Sequence, residues 1–353
     1  MARDLLFPPP KSPNTIFLVT GVNGLIASHV ADQLLAAGYR VRGTVRDISR
    51  CEWLAQHFAN RYGANRFGLV QLNDFSAEGA WEVTLQGVSG VASVAGPSYL
   101  DVDDVDCIVA SELKWFFALL SAAKKTSSVK SFSFTSSIWA AYTPTNPSSS
   151  SFLPPRNVTE STWNDEAVLK AADPTLSKEE RGLAPFAAVK VKVERACWEW
   201  VEREKPRFTF NTVLADTVLG PILAPDFQRG STAGMLLRLF EGKDYEMVRK
   251  TLPQWFVDSR DAGRLHLVAL TDPTINRRRI FACAERYSWY RIVQILRRLY
   301  PNHIFADLDD QGWNQTELPN ALAGEMLKSI GRPGWVPLEE SVKANIECYY
   351  QLA

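Results

Sequence analysis

Residues 15–27 read TIFLVTGVNGLIA, and this stretch decides the fold. A short apolar run ends in glycine and continues into an amphipathic stretch that stops at Gly38, which is the pattern of a strand, a turn and a helix. Gly21 permits the tight turn, Gly24 lets a pyrophosphate approach the backbone, and Ala27 permits close helix packing. The alternative is a purely structural left-handed turn at this junction. In this context we predict a dinucleotide site, and its turn is completed by Asn23, Leu25 and Ile26.

Strand and helix patterns keep alternating through the first half of the chain. Besides Thr15–Thr20, the stretches that predict strands are Val41–Val45, Phe67–Leu72, Val88–Ala95 and Ser131–Ser136. The stretches that predict helices between them are Leu25–Ala37, Cys51–Ala59, Glu78–Gln86 and Val105–Ala123. Strands separated by helices of this length imply right-handed crossovers. The predicted fold class is therefore α/β, a doubly wound parallel sheet (Rossmann) covered by helices on both faces.

The second half is less regular and predicts a smaller, mixed C-terminal lobe. Helices are expected near Glu180–Glu204, Arg260–Ala269, Trp289–Leu299 and Leu338–Tyr349, and strands near Phe208–Leu214 and Arg279–Ala282. Residues 143–157, rich in Pro, Ser and Asn, indicate an exposed loop. We expect an N-terminal extension over 1–13, a nucleotide-binding domain over 14–215 and 255–285, and a substrate-binding lobe made of 216–254 and 286–353.

The composition argues against several classes of partner. Lys plus Arg equals Asp plus Glu at 39 each, so net charge does not favour nucleic acid or an acidic membrane surface. The five cysteines occur singly and the four histidines lie outside ligand spacing, so we expect a reduced, metal-free protein. The chain shows no long apolar run typical of a signal peptide or a membrane span, which predicts a cytoplasmic location. We therefore expect a small-molecule partner, bound by a monomer or a homodimer.

The end of the second predicted strand indicates which nicotinamide dinucleotide is bound, because NAD enzymes usually place an acid there and NADP enzymes a base. Arg46 follows the strand and Arg50 comes four residues later, so two guanidinium groups can surround a 2′-phosphate. The alternative leaves both arginines in solvent and gives Asp47 the ribose hydroxyl. We predict NADP(H) as the cofactor. Further contacts are expected from Asp74 and Phe75 at the adenine and from Val94, Ala95 and Gly96 along the cofactor.

Lys190 comes four positions after Phe186 in the stretch PFAAVK, residues 185–190, and the two share one helical face. Other notable motifs are Phe134–Ser137, Glu160 with Trp163, Asn211–Leu214, Leu219–Pro221, Trp255–Asp261, Leu299–Pro301 and Ser329–Trp335. With the glycine-rich turn and Arg46, they resemble the extended short-chain dehydrogenase/reductases of the NAD-dependent epimerase/dehydratase family. Within it, the resemblance is to the dihydroflavonol reductase-like group and its fungal aldehyde and ketone reductase branch. It covers nearly the whole chain and implies an NADPH-dependent oxidoreductase scaffold of secondary metabolism.

The resemblance also implies roles for individual residues. In that family a tyrosine at position 186 hands a proton to a carbonyl oxygen, and the neighbouring lysine lowers the pKa of its phenol. Ser137 would hold the substrate oxygen, and Lys190 would bind the nicotinamide ribose. Further cofactor contacts would come from Ser136, Ala215 and Val218. Phe186 has no proton to give, so the resemblance implies the fold and the cofactor but leaves the reaction open.

Other departures from the family pattern border the nicotinamide end. Val189 stands where serine is usual, Ala215 where proline is expected, Asp216 where a small or amide residue is common, and Ser93 where histidine is often found. An isolated Tyr→Phe replacement would leave these neighbours at the family pattern, so we favour natural divergence. Loss of a positioned general acid typically costs about 10²- to 10⁴-fold in rate. A slow reductase remains if Ser137 and a water supply the proton.

Two further residues are candidates for a relocated proton donor or base. Tyr142 lies five residues beyond Ser137, and Asp216 can act as a base if burial raises its pKa. A structural role is the alternative for each. The pocket for an apolar or aromatic substrate is expected to include Trp139, Tyr142, Phe186, Asp216, Pro97 and Ser98. Three functions stay open: an NADPH-dependent carbonyl reductase, a non-redox isomerase, lyase or cyclase, and a non-catalytic NADP(H)-binding protein.

Overall fold

The computed structural model describes residues 14–96, 101–144, 157–228 and 231–350. Its strands are β1 (Ile16–Val19), β2 (Arg40–Val45), β3 (Phe67–Gln71), β4 (Val88–Ser93), β5 (Ser131–Ser137), β6 (Thr209–Ala215), β7 (Thr217–Leu219), β8 (Gln254–Asp258), β9 (Arg279–Ala282) and β10 (Glu285–Tyr287). Seven of them form one sheet in the order β3-β2-β1-β4-β5-β6-β9, paired in parallel throughout. The strand order reverses between β1 and β4, and ligands of such sheets bind at the carboxyl ends beside that point. The predicted doubly wound fold is confirmed.

Helices cover both faces of this sheet. They are α1 (Leu25–Ala36), α2 (Glu52–Tyr62), α3 (Ala80–Thr84), α4 (Val105–Lys125), α5 (Asp165–Ala172), α6 (Lys178–Arg181), α7 (Ala184–Glu204), α8 (Ser231–Phe240), α9 (Tyr245–Lys250), α10 (Ser259–Thr271), α11 (Trp289–Leu299), α12 (Ala321–Ser329) and α13 (Leu338–Glu347). One apolar core joins the sheet to α3, α4 and α7. On the other face of the sheet, α1, α2, α10 and α12 pack against its strands. Because Gly263 has no side chain, α10 approaches α1 closely: an added Cβ would lie 2.7 Å from the carbonyl oxygen of His29.

The second lobe is built around a three-stranded sheet in the order β10-β8-β7. Its core lies between this sheet and α8, α11 and α13. One part of the predicted domain division needs correction, because β8 pairs with β7 and β10 instead of joining the large sheet. In the rest of the span 255–285, α10 packs on the large sheet and β9 is one of its strands. The remainder of the domain division stays a prediction.

The predicted helix over 180–204 is wrong in its first turn. The chain forms α6, bends at Gly182 with φ of 51°, and starts again as α7 with Pro185 near its beginning. Glycine adopts this left-handed conformation without the penalty that a Cβ brings, and proline suits a first helical turn. The break places Phe186 in the first turn of α7, at the carboxyl edge of the sheet.

Several elements were not predicted, namely α5, α8, α9, α12, β7, β8 and β10. The four helices among them, α5, α8, α9 and α12, have ten residues or fewer, so each is too short to show a clear helical period in the sequence. Within the described ranges, no helix has the length and apolar character needed to cross a membrane. The predicted N-terminal extension 1–13, most of the loop 143–157, and Pro97 and Ser98 lie outside the described residues.

Candidate functional site

The ends of β1 and β4 are joined by the hydroxyl group of Thr20. Its Oγ1 accepts hydrogen bonds from the backbone amides of Val94 and Ala95, each at 2.9 Å. Gly21 follows with φ of 60°, and a Cβ there would lie 3.0 Å from the Cβ of Ala95. Only glycine meets both conditions without strain. The turn therefore lies tightly against the β4 end, where Val94, Ala95 and Gly96 were predicted to follow the cofactor.

The glycine-rich turn leaves the start of α1 open. Gly24 is the N-cap residue in an extended conformation, with no side-chain cap, and no acidic residue lies in the first turn. The first amides of a helix have no intrahelical acceptor, so those of Leu25 and Ile26 are suited to an anion. Beneath the turn, Val22 packs against Gly43, where a Cβ would lie 2.3 Å from Val22 Cγ1. This arrangement fits the pyrophosphate of a dinucleotide.

Two arginines lie at the end of β2, where the adenosine end of the cofactor is predicted. Arg46 and Arg50 are both exposed, and neither guanidinium group makes a hydrogen bond or a salt bridge in the described part of the chain, although the backbone amide of Arg50 bonds Asp47. Asp47 instead folds back on its own turn, where its Oδ1 accepts from the amide of Ser49 at 2.9 Å and from the hydroxyl of Ser49 at 2.7 Å. These hydrogen bonds lower the pKa of Asp47. One oxygen of this carboxylate is thus engaged within its own turn, whereas the two guanidinium groups are exposed to a ligand.

Asp74 and Phe75 follow β3, next to the arginine turn. The Oδ1 of Asp74 accepts from the amide and the hydroxyl of Ser76, at 2.7 and 2.6 Å. Phe75 is half-buried and packs against Trp81 with ring centroids 5.1 Å apart. Both residues lie at the carboxyl edge of the sheet as predicted, and their contact with the adenine stays a prediction.

Ser137 ends β5, and its side chain caps the 3₁₀ turn Ile138–Ala140. Its Oγ accepts from the backbone amide of Trp139 at 3.3 Å. A hydroxyl that accepts through oxygen keeps its own proton to donate, and no acceptor for that proton lies among the described residues. Ser136 differs, since its hydroxyl donates to Glu194 Oε2 at 2.7 Å and is buried. With its proton engaged by Glu194, the Ser136 hydroxyl can meet a cofactor only as an acceptor, and that contact stays a prediction.

Phe186 and Lys190 share one face of α7, as predicted. The Nζ of Lys190 lies 5.5 Å from the centroid of the Phe186 ring. The indole of Trp139 meets the same ring edge-on at 6.0 Å, which brings the Ser137 turn and α7 together. Burial lowers the pKa of Lys190, and the carboxylate of Glu112 on α4 raises it in part. Burial in turn raises the pKa of Glu112.

A buried ion pair holds α7 against the sheet, and the sequence analysis missed it. Glu194, one turn beyond Lys190, accepts from Arg279 Nε at 2.8 Å and from Thr212 Oγ1 at 2.9 Å, in addition to Ser136. Arg279 lies in β9, and its guanidinium carbon is 4.0 Å from the ring centroid of Trp163. Trp163 was quoted as a family motif, but no local signal pairs Glu194 with Arg279. The pair fixes Phe186 and Lys190 relative to the β5 end.

Tyr142 and Asp216 lie together, on the side of the β6 end that faces the second lobe. Tyr142 is 1% exposed, its hydroxyl accepts from Asn314 Nδ2 at 3.1 Å, and burial raises its pKa well above the usual value. The Oδ2 of Asp216 accepts from the amide of Trp255 at 3.0 Å, while its buried Oδ1 has no partner among the described atoms. Burial raises the pKa of Asp216 to about 7. Tyr142 therefore belongs to a core cluster with Trp255 and is not in contact with the Phe186 ring.

The two remaining cofactor candidates are buried. Ala215 aligns with Ser137 across the β5–β6 pairing, and Val218 lies in β7. Both side chains belong to the core that packs on α10. Their contacts with a cofactor stay predictions.

Three comparisons place this geometry among known proteins. The model of the NAD dependent epimerase/dehydratase family matches residues 17–284. Aldehyde reductase 2 of Sporidiobolus salmonicolor is 37% identical over 330 residues, which are 93% of this chain and 94% of that protein. Ketoreductase adrE of Penicillium rubens is 36% identical over 340 residues, 95% and 96% of the two chains. The crystal structure of the yeast methylglyoxal/isovaleraldehyde reductase complexed with NADPH superposes with a TM-score of 0.76 at 22% identity, covering 96% of this chain and 99% of that chain.

The parallel sheet, the glycine-rich turn and the serine and lysine at the β5 and α7 ends define the scaffold of an extended short-chain dehydrogenase/reductase. The match to the family model covers most of the chain, and the two reductase relatives span nearly all of it. The protein belongs to the NAD dependent epimerase/dehydratase family. The resemblance stated from the sequence motifs is confirmed, as is the oxidoreductase scaffold that it implies.

Proposed function

We propose that this protein uses NADPH to reduce the carbonyl group of a hydrophobic or aromatic small molecule, slowly because position 186 lacks a hydroxyl group. One observation carries the proposal. Trp139 bonds the Ser137 hydroxyl through its backbone amide and contacts the Phe186 ring through its indole, so Ser137 lies near the Phe186–Lys190 face of α7. This place is at the carboxyl edge of the sheet, beside the dinucleotide turn. Ligands of open α/β sheets bind at this edge. The names of the two fungal relatives, an aldehyde reductase and a ketoreductase, support the same reaction class.

The choice of NADPH is supported by charge at the adenosine end. Arg46 and Arg50 are exposed, and a 2′-phosphate matches the planar guanidinium group in both charge and geometry. Asp47, which would select the unphosphorylated ribose, directs its Oδ1 back onto Ser49 of its own turn. A hydrogen bond to a charged group contributes about 1.5–3 kcal/mol. Each arginine can therefore account for about tenfold or more in affinity for the phosphorylated nucleotide.

The residues at the other end would bind and orient the carbonyl group. When bound, NADPH supplies the hydride. Ser137 can donate its proton in a hydrogen bond to the carbonyl oxygen, which polarises it and stabilises the negative charge that develops there. Lys190 would hold a ribose hydroxyl of the cofactor. With Phe186 in place of a phenol, the proton that completes the alcohol has to come from water, because Ser137 is too weak an acid to be left ionised.

The wall of the pocket favours an apolar substrate. Trp139 and Phe186 are half-buried and present an edge-to-face aromatic pair beside Ser137. Small-molecule sites combine such apolar walls with a few placed polar groups.

The proposal is tested by measuring nucleotide affinity and NADPH oxidation with the same protein preparation. Wild-type protein should bind NADPH more tightly than NADH and oxidise NADPH slowly with hydrophobic aldehydes or ketones. Arg46→Ala and Arg50→Ala should each weaken NADPH binding about tenfold and leave NADH binding unchanged. Calorimetry gives the affinities, and loss of NADPH absorbance with detection of the alcohol gives the turnover. Equal affinities for the two nucleotides, or no alcohol from any tested carbonyl, would contradict it.

A non-redox isomerase, lyase or cyclase on this scaffold is the second candidate. The observation that favours it is Asp216, a carboxyl group whose pKa is raised to about 7 and whose Oδ1 has no partner among the described atoms. Such a group can take up or release a proton near neutral pH. This function predicts that substrate disappears while NADPH absorbance stays constant. Tight NADPH binding with neither change would favour the third candidate, a non-catalytic NADP(H)-binding protein.

A further inference from the structure

One segment of the second lobe crosses the dinucleotide turn. Residues 221–228, which we call the strap, leave β7 and run along the start of α1. At its beginning, the carbonyl of Pro221 accepts from His29 Nε2 at 2.8 Å and from Ser259 Oγ at 3.0 Å. His29 is 1% exposed, so this anchor is shielded from water. The strap is thereby attached to both α1 and α10 before it reaches the turn.

Gln228 attaches the other end of the strap to the glycine-rich turn itself. Its side-chain Nε2 lies 2.9 Å from the carbonyl oxygen of Asn23, 2.9 Å from Ser28 Oγ and 3.3 Å from the carbonyl oxygen of Gly24. A primary amide has two protons, so two of these three acceptors share one proton or alternate. The Oε1 of Gln228 accepts from the amide of Ala224 at 3.3 Å, and the residue is 4% exposed. Gln228 is thus built into the turn.

These bonds orient the amides that an anion would meet. In a planar trans peptide the C=O and the following N–H point in opposite directions. A donor that holds the carbonyl oxygens of Asn23 and Gly24 on the strap side therefore directs the amides of Gly24 and Leu25 away from the strap. The Gly24 amide donates to the carbonyl of Gly21 at 2.9 Å, which closes the turn, and the Leu25 amide points out of the helix start. The strap thus presets the Leu25 amide, which is the donor that this part of the turn offers to an anion.

The strap also reaches the arginine turn at the adenosine end. Phe227 is 62% exposed, yet its ring stacks on Trp53 of α2 with centroids 5.2 Å apart and planes 4° apart. The two rings line an open pocket of about 870 Å³ together with Ser49, Arg50 and Asp226. Arg50 is one of the two residues proposed to hold the 2′-phosphate. An aromatic pair that spans from the strap to α2 therefore lies beside the candidate phosphate site.

Resting on the proposed function, we propose that the strap is a clamp that retains the phosphorylated dinucleotide. Gln228 is the positioning residue for the pyrophosphate end, because it orients the turn. Phe227 and Trp53 form a latch at the Arg50 end, which must separate from α2 before the nucleotide can leave. The clamp predicts two different effects, one on affinity for any nicotinamide dinucleotide and one on the release of the phosphorylated form.

The first effect is measured with Gln228→Ala and Gln228→Glu, both of which remove the amide donor. The dissociation constants for NADPH and NADH should rise by the same factor, about tenfold. Gln56→Ala is the control, because Gln56 is exposed on α2 and bonds only Asn60 within its own helix. A purely structural Gln228 would lower the melting temperature of both variants and leave the dissociation constants of the remaining folded protein unchanged. That result would overturn the clamp.

The second effect is measured with Phe227→Ala by displacement of bound NADPH in a stopped-flow instrument. The dissociation rate constant should rise several-fold with little change in the association rate constant, since such changes lie mostly in release. The increase should be larger for NADPH than for NADH. Ile304→Ala, which truncates an apolar side chain that is 92% exposed in the second lobe, is the control and should change neither rate constant.

The outcomes separate the clamp from the function on which it rests. If wild-type protein binds NADPH and all three strap variants keep its dissociation constant and release rate, the clamp is wrong and the proposed cofactor stands. If wild-type protein does not bind NADPH, both are wrong. An increase confined to the strap variants supports the clamp.

Discussion

Restoring the missing hydroxyl group by Phe186→Tyr should raise the rate of carbonyl reduction by orders of magnitude. The proposed reaction needs a phenol at the position of the Phe186 ring, whose centroid lies 6.0 Å from that of Trp139 and 5.5 Å from the Nζ of Lys190. The substitution adds one oxygen atom at the ring edge of a half-buried side chain, so we expect little change in packing. The variant tests directly whether a proton donor is the only group that this site lacks for carbonyl reduction.

The size of the effect follows from the lysine. For a phenolic oxygen about 5 Å from the ammonium group, in an effective dielectric of about 20, the attraction is about 3 kcal/mol. This corresponds to about two pKa units, which would lower the pKa of the new phenol from about 10 to about 8. Partial burial of the phenol opposes this shift. A general acid with a pKa near the working pH contributes about 10²- to 10⁴-fold.

The assay follows loss of NADPH absorbance with a panel of hydrophobic aldehydes and ketones across pH. The gain of Phe186→Tyr should be complete at low pH, where the phenol is protonated, and should disappear as pH rises through the phenol pKa of about 8. The double variant Phe186→Tyr/Lys190→Met serves as the control. Without the ammonium group, the phenol pKa returns towards about 10, and most of the rate gain should be lost.

The reasoning would be refuted by a Phe186→Tyr protein that binds NADPH normally and shows no increase with any carbonyl compound. That result would mean that the Phe186 ring does not face the reacting oxygen, and it would favour a non-redox role for the site. If the rate gain of Phe186→Tyr is unchanged when Lys190 is replaced, only the argument that the ammonium group lowers the phenol pKa is contradicted.

Three further substitutions test the structure around the site. Gly21→Ala should destabilise the protein by about 1–2 kcal/mol in chemical denaturation and weaken NADPH binding, because its φ of 60° and the 3.0 Å approach to Ala95 both exclude a Cβ. Asp216 has a pKa of about 7 in the folded protein against a usual 3.8, so its stabilising contribution is complete below about pH 4 and is lost as pH rises to about 7. Between about pH 4 and pH 7, the melting temperature of Asp216→Asn should therefore fall less than that of the wild-type protein. Arg279→Met leaves the buried carboxylate of Glu194 unpaired, and the free energy of unfolding in denaturant should drop by about 3–5 kcal/mol; an unchanged value would show that water or another cation compensates.

The first half of the fold could be predicted because its signals are local. The strand Ile16–Val19 appears as a short apolar run that leads into glycine, and α1 shows helical periodicity that stops at Gly38. The second lobe was predicted poorly, because strands of three residues such as β7 and β10 are too short to show a period. Their pairing with β8 depends on segments that are distant in the chain.

The candidate site divides in the same way. Gly21, Ser137, Phe186 and Lys190 each lie within a motif, so their positions at the strand and helix ends could be predicted. Tyr142 lies close to Ser137 in sequence, but the backbone turns between them and directs the phenol into the core, where Asn314 is its partner. Spacing along the chain does not specify that direction.

The sequence by itself determined the nucleotide-binding scaffold and the absence of a phenol at position 186, because turn geometry, periodicity and the identity of one side chain are local properties. Only the tertiary structure decided that Gln228 meets the carbonyl of Asn23 and that Arg279 neutralises Glu194. The partners are 205 and 85 residues apart. Such contacts form only when both segments have packed on the same sheet, since the hydrogen-bonding capacity of a glutamine or a glutamate is the same wherever it stands in the chain. Which partner each of them finds is a consequence of burial and close packing.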